Sequence, residues 1–144
     1  MNGLHTLVQQ GRVLYLGISD SPAWIVSKLK CNQYARDHGQ TPFVIYQGAW
    51  NVMSRDFERD IIPMACVEGM ALAPWNVLAS GRLRTDAEEE RRRQTGQKGR
   101  TFLTSEWERI PLERETSLAL EKVANEVALH TSQLSPSFPN MDGC

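Results

Sequence analysis

Hydrophobic residues in the first half of this chain cluster in short, dense runs. Three runs are apolar at nearly every position: residues 13–19, 43–47 and 70–75. Unbroken apolar runs of this length, rich in β-branched and aromatic residues, predict strands of a parallel sheet, whose strands are buried on both faces. We therefore expect three buried parallel strands.

The stretches between these strands carry a different pattern. Residues 23–38 and 55–68 place apolar side chains at helical intervals, and Gly39 and Gly69 follow them as glycine C-caps commonly do. Pro63 lies inside the second stretch, which predicts a kink or the start of a new turn there. Alternation of strand and helix with short connections predicts βαβ units in a parallel α/β sheet.

The second half of the chain is more polar. Residues 86–93 run from acids to arginines, and the spacing of four between Glu88 and Arg92 predicts an exposed helix. Apolar positions at helical spacing predict a last helix over residues 112–130. Residues 132–144 have no periodicity, and we expect a disordered tail there.

Charge and composition exclude several classes of partner. The 144 residues include 16 basic and 17 acidic side chains, for a formal charge of −1, so we expect neither nucleic acid nor a membrane as a partner. The first residues contain no basic region followed by an apolar stretch, which predicts a cytoplasmic protein. The histidines (His5, His38 and His130) are isolated, so no metal site is predicted.

Four local patterns occur in order along the chain, at residues 11–20, 43–47, 55–63 and 70–83. They resemble the aldo-keto reductase family: its G-K/R-x-R-x-x-G-V-S-N fifth strand, its sixth strand ending in glutamine, its R-x-x-E-x-x-I-x-P helix, and its seventh strand with a Gly-x-Leu loop. Residues 19–24 and 73–77 are similar to the fungal branch of aryl-alcohol dehydrogenases and norsolorinic acid reductases.

The resemblance implies a fold. Members of this family are (β/α)₈ TIM barrels, so the chain is expected to be a partial barrel with about three parallel strands, the fifth to the seventh of the family, and their helices. The resemblance fades after residue 131, which predicts one domain over residues 1–131. Half of a barrel would expose two sheet edges and one sheet face, and we expect self-association through them.

The resemblance also implies a binding site for NADP(H) at the carboxyl ends of the strands, where TIM barrels carry their chemistry. Ser19 and Gln47 match the residues that hydrogen-bond the nicotinamide carboxamide. Trp75 matches the aromatic side chain that stacks beneath the nicotinamide ring. Asp20 stands where most members have asparagine, which removes a hydrogen-bond donor.

The same resemblance extends the predicted site beyond the third strand. Asn76 follows Trp75 in the pattern of the fungal branch. Gly81 and Leu83 match the loop whose backbone approaches the pyrophosphate, where the absence of a Cβ at Gly81 permits close contact. Arg82 and Arg84 are interpreted as solvated charges, with phosphate contacts as the alternative.

Each of the three central residues also has a purely structural interpretation. Ser19 could serve only as the N-cap of the following helix. Gln47 could be an ordinary surface amide at a strand end, and Trp75 could be a packing residue next to Pro74. Trp24, Trp50 and Trp107 are interpreted as packing residues.

The family reduces carbonyl compounds with NADPH, assisted by an Asp-Tyr-Lys-His set on its first four strands. No residue of this chain matches that set, so no catalytic residue is predicted. Two hypotheses follow: an oxidoreductase of aryl aldehydes, aryl alcohols or polyketide ketones in a truncated form that is inactive as an isolated chain, and a non-catalytic module that binds a nucleotide or another protein.

Overall fold

The computed structural model describes residues 1–27, 31–97 and 107–127. Three short strands form one sheet: β1 Gly17–Ser19, β2 Ile45–Ala49 and β3 Ala71–Trp75. The strands lie in the order β1-β2-β3, and both pairs are parallel. The prediction of a parallel α/β sheet with three strands is confirmed, although β1 begins four residues later than predicted.

Helices follow each strand. The α-helices are α1 Asn2–Gln9, α2 Ala23–Val26, α3 Cys31–Asp37, α4 Ile61–Glu68, α5 Asp86–Thr95 and α6 Pro111–Glu126, with 3-10 turns at Asp56–Glu58 and Ala79–Gly81. Because α4 begins at Ile61, Pro63 lies in its first turn, where a missing N–H breaks no helical hydrogen bond. The predicted interruption at Pro63 is therefore confirmed. Gly69 ends α4 with φ of 65°, the left-handed C-cap expected from the sequence.

The described residues fall into two compact units. The sheet unit comprises Met1–Trp50 and Ser54–Trp75, and the helical unit comprises Asn51–Met53 with residues 76–97 and 107–127. The predicted domain boundary at residue 131, the predicted disordered tail and His130 lie outside the described residues. None of the described helices combines the length and apolar character needed to cross a membrane.

The core of the sheet unit lies between the strands and their helices. Its buried members are Leu16, Ala23, Val26, Phe43, Tyr46, Trp50, Phe57, Ile61, Met64, Ala65 and Met70. Phe57 is central to this core, stacked against Trp50 with ring centroids 5.9 Å apart and edge-on to Tyr46 at 5.6 Å. Gly48 runs directly beneath the Phe57 ring, where an added Cβ would lie only 2.6 Å from Cε2.

The prediction that these strands are buried on both faces is wrong. Along β2, Tyr46 and Gly48 are buried while Gln47 between them is exposed, so helices cover one face only. Leu14 and Tyr15, predicted to belong to the first strand, precede β1 and are 79% and 71% exposed. This outcome agrees with the expectation that a partial barrel leaves one sheet face open.

A buried asparagine connects α3 to the chain entering β2. Asn32 is 0% exposed; its Nδ2 donates to the carbonyl of Phe43 at 3.1 Å, and its Oδ1 accepts from the N–H of Phe43 at 2.8 Å. One side chain thus satisfies both backbone groups of a residue whose surroundings exclude water. No local pattern in the sequence predicts this contact.

Ion pairs organise the helical unit. The predicted pair between Glu88 and Arg92 within α5 is present at 2.6 Å. Asp86, at the start of α5, accepts from Arg114 of α6 at 2.6 Å and also from Arg109. The hydrogen bonds from Arg114, and then those from Arg109, lower the pKa of Asp86 to about 2.

This lowered pKa predicts acid sensitivity of the helical unit. A carboxylate whose pKa is depressed by folding stabilises the protein above its ordinary pKa, near 4, and that contribution is lost as the pH falls toward 2. We expect the Asp86 carboxyl to titrate near pH 2 in an NMR titration, and at higher pH in Arg114→Gln. Arg91→Gln, which removes an exposed arginine from the same region, should leave that titration unchanged. A midpoint near 4 in the unaltered chain would contradict the prediction.

Candidate functional site

The strand register brings together two of the residues predicted to contact the cofactor. Ser19 of β1 is the direct partner of Gln47 of β2, and the Asp20 N–H donates to the Gln47 carbonyl at 3.1 Å. Adjacent strands lie about 4.8 Å apart, so the two side chains are neighbours at the carboxyl edge of the sheet. Trp75 pairs with Ala49 and ends β3 at the same edge.

The hydroxyl of Ser19 is directed toward its neighbour in sequence. Its Oγ donates to Oδ2 of Asp20 at 2.9 Å, and both residues are exposed. Helix α2 has Pro22 as its N-cap residue and no side-chain cap, so the alternative that Ser19 serves as the N-cap is wrong. Since the hydroxyl proton is used in the bond to Asp20, its free lone pairs can accept a hydrogen bond from a ligand.

Two residues that directly follow strands adopt a strained backbone. Asp20 follows β1 with φ of 46°, and Asn76 follows β3 with φ of 59°. Aspartate and asparagine are among the few residues that tolerate this left-handed region. Strained positions of this kind are enriched in ligand-binding sites, where the surrounding structure holds them in place.

Gln47 offers an unused amide. Its side chain is exposed and lies on the opposite face of β2 from the buried Tyr46 and Gly48. Within the described part of the chain, no hydrogen bond is found for the Gln47 side-chain amide. Both its donor and its acceptor are therefore open to a ligand.

Tyr46 supports the turn that carries Ser19 and Asp20. The Tyr46 hydroxyl donates to the carbonyl of Ser21 at 2.6 Å and accepts from the Ser21 N–H at 3.0 Å. Burial raises the pKa of Tyr46 above its ordinary value, so the hydroxyl remains neutral and able to donate. No local pattern in the sequence predicts this role, and the one signal for it is the inward position of a tyrosine in β2.

Trp75 is partly open to solvent. Its side chain is 37% exposed and lies outside the buried core of the sheet unit, while its carbonyl accepts from the Trp50 N–H at 3.2 Å. The backbone is thereby fixed while part of the indole remains accessible. Trp50 is 4% exposed, which confirms its interpretation as a packing residue.

The remaining predicted residues lie in the helical unit. Asn76 accepts from Ser80 through Oδ1 at 3.0 Å, and its carbonyl accepts from Asn51 at 3.1 Å. Gly81 has φ of 84°, a backbone conformation that favours glycine. No atom lies close to the position that a Cβ would occupy there. Leu83 is 8% exposed, so its side chain belongs to the buried part of this unit.

The interpretation of Arg84 as a solvated charge is wrong. Arg84 is 5% exposed, donates to the carbonyls of Gly81 and Trp107 at 2.8 and 2.9 Å, and lies over the Trp107 ring. Burial lowers the pKa of Arg84. Arg82 contacts Glu113 at 2.8 Å, so it is also held by an ion pair. Among the described residues, no group of three or more His, Cys, Asp or Glu side chains is arranged to hold a metal ion.

With this geometry established, comparison with known proteins identifies the class. Residues 1–139 match the model of the aldo/keto reductase family, and the chain belongs to that family. The three parallel strands with their helices are accordingly part of a (β/α)₈ barrel fold.

Fungal proteins are among the most similar relatives. The NADP(+) aryl-alcohol dehydrogenase of Phanerodontia chrysosporium is 64% identical over 128 residues, covering 88% of this chain and 33% of the relative. Norsolorinic acid reductase B of Dothistroma septosporum is 52% identical, covering 87% of this chain and 30% of the relative. Norsolorinic acid reductase B of Aspergillus parasiticus is 47% identical, covering 96% and 35%. The chain thus spans about a third of the length of the curated relatives it matches.

Proposed function

We propose that this chain forms the nicotinamide-binding part of an NADP(H)-dependent oxidoreductase that interconverts aryl alcohols and aryl aldehydes or ketones. The observation that carries the proposal is the register pair of Ser19 and Gln47, side by side at the carboxyl edge of the sheet. The relative from Phanerodontia chrysosporium, named as an NADP(+) aryl-alcohol dehydrogenase, supports the choice of cofactor and substrate class. A cytoplasmic location is part of the same proposal.

The side chains fit a nicotinamide carboxamide. That group presents one carbonyl and one NH₂, and the open amide of Gln47 complements both. Ser19, whose proton is directed to Asp20, is left as an acceptor for the NH₂. Trp75, partly exposed where β3 ends, offers an aromatic face that would fix the orientation of the ring. Bound NADPH would supply the hydride, and the residues of this chain would bind and orient it.

A second candidate is a module that binds NADPH or another polypeptide without turnover. The observation favouring it is the apolar pair that precedes the edge strand β1, since Leu14 and Tyr15 are 79% and 71% exposed. Exposed apolar side chains next to an edge strand favour association with another chain, including a second copy. We place this candidate second because it does not use the pairing of Ser19 with Gln47.

The proposal predicts that the affinity for NADPH depends on two side chains. We expect Gln47→Ala and Trp75→Ala each to weaken NADPH binding about tenfold, since a buried hydrogen bond or a ring stack contributes about 1–2 kcal/mol. The measurement is a titration that follows NADPH fluorescence. Gln33→Ala, which removes a glutamine from α3, is the matched control and should bind normally.

Turnover tests the non-catalytic module. NADPH consumption with benzaldehyde, followed by absorbance, would contradict that candidate. Binding of NADPH without consumption is expected of both candidates, because no residue of this chain matches the family's catalytic set. Equal NADPH affinity in Gln47→Ala, Trp75→Ala and the unaltered chain would contradict the proposed site.

A further inference from the structure

A cavity opens on the helical side of the sheet unit, between α2 and α4. It has a volume of 310 Å³ and its lining includes Ala23, Trp24, Pro63, Met64, Val67 and Glu68. This volume is at the lower end of the range for small-molecule sites. The lining is mostly apolar, with a single carboxylate.

The carboxylate of Glu68 lacks the partners that burial normally demands. The side chain is 1% exposed, and among the described residues neither of its oxygens has a hydrogen-bond partner. Arg36 approaches Oε2 to 2.7 Å, but this ion pair lacks hydrogen-bond geometry, and no donor in the described part of the chain reaches Oε1. An ionised carboxylate accepts several hydrogen bonds, and leaving that capacity unused in a buried position is unfavourable.

The walls of the cavity carry exposed apolar side chains. Trp24 is 53% exposed and Val67 is 69% exposed, so both present apolar surface beside the carboxylate. Trp24, interpreted from the sequence as a packing residue, thus keeps about half of its surface exposed. Aromatic and aliphatic walls suit an apolar body, and the indole face of Trp24 also attracts a cation.

From this juxtaposition we propose that the cavity binds organic ammonium ions that carry an apolar body. On binding, the Glu68 side chain turns toward the cavity so that the ammonium group can donate to Oε1, and the apolar part packs on Met64, Val67 and the indole of Trp24. An anion is disfavoured by the Glu68 charge, and a neutral alcohol offers that carboxylate only one uncharged donor. A metal ion is disfavoured because the walls supply few oxygen ligands. This site is independent of the proposed NADPH site.

The test is a titration of the 144-residue chain with benzylammonium, followed by amide chemical shifts in NMR spectra. We expect saturable shifts centred on residues 64–68, with benzylammonium binding at least tenfold more tightly than benzyl alcohol, its neutral counterpart. Glu68→Gln should weaken benzylammonium binding about tenfold and leave benzyl alcohol unaffected. The control Glu90→Gln, which removes an exposed carboxylate from α5, should bind both compounds as the unaltered chain does.

Three outcomes would overturn the proposal: equal affinity for benzylammonium and benzyl alcohol, shifts centred away from residues 64–68, or unchanged affinity in a folded Glu68→Gln variant. Circular dichroism reports whether that variant folds. If it does not, the preference for the ammonium and the position of the shifts in the unaltered chain decide the question. Arg36→Gln removes the competing cation, and it should bind benzylammonium at least as tightly as the unaltered chain.

Discussion

Gly48→Val is expected to lower the free energy of unfolding by about 3 kcal/mol, as overpacking of a filled core does. A Cβ at this position would lie 2.6 Å from Cε2 of Phe57 and 3.1 Å from Cε1 of Tyr46. Phe57 is 5% exposed and stacked on Trp50, so its ring has no free space into which it can move. Urea unfolding followed by fluorescence should show the loss as a lower midpoint.

The matched control for this substitution is Gly17→Val, in the neighbouring strand β1. A Cβ there would meet the Ile45 carbonyl oxygen at 3.5 Å, an ordinary contact distance. We therefore expect a change below about 1 kcal/mol, because valine suits a strand and nothing must move. Equal losses in the two variants would mean that the close approach of Gly48 to Phe57 does not limit the packing.

Asn32→Leu is expected to destabilise the sheet unit by about 3 kcal/mol, because it leaves two buried backbone groups without partners. Leucine has the same number and branching of side-chain heavy atoms as asparagine, but it cannot bond to the N–H or the carbonyl of Phe43. Both bonds are present in the native chain, at 2.8 and 3.1 Å. Chemical unfolding, together with faster amide exchange at Phe43, measures the effect.

Gln33→Leu provides the comparison for Asn32→Leu, since it makes the same kind of change at the next residue of α3. The Gln33 side chain donates to Asp37 at an exposed position. Its replacement should change stability by less than about 0.5 kcal/mol. A similar loss in both variants would refute the role assigned to Asn32.

The number and order of the strands could be predicted from apolar runs, but their limits could not. The predicted strand over residues 43–47 is observed as β2 Ile45–Ala49. The Val44 N–H donates to the Leu16 carbonyl, and the Val44 carbonyl accepts from the Ala71 N–H, as in a strand. The predicted and observed strands therefore differ only in where their ends are assigned. Helix α1 was not predicted, because it buries no residue and has no side-chain N-cap.

The candidate site was predicted only as far as local patterns reach. Ser19 and Gln47 end apolar runs, so their approach to one another follows from parallel pairing. Other contacts join residues distant in sequence. The Tyr46 hydroxyl donates to the Ser21 carbonyl, 25 residues away in sequence, and Arg84 donates to the Trp107 carbonyl, 23 residues away. Local hydropathy carries no information about such contacts, so Arg84 was expected in solvent and is found buried.

The register of the sheet also constrains the order of folding. Gly17 pairs with Ile45 and Ile45 pairs with Ala71, so the two ladders close chain segments of 28 (45 − 17) and 26 (71 − 45) residues. Because the entropic cost of closing a loop grows only with the logarithm of its length, the two ladders form at nearly the same entropic cost. Both ladders require β2, so the nucleus of the sheet is expected to form around β2. Local structure in α3 and α4 is expected to form first, because it reduces the number of conformations open to the connecting segments.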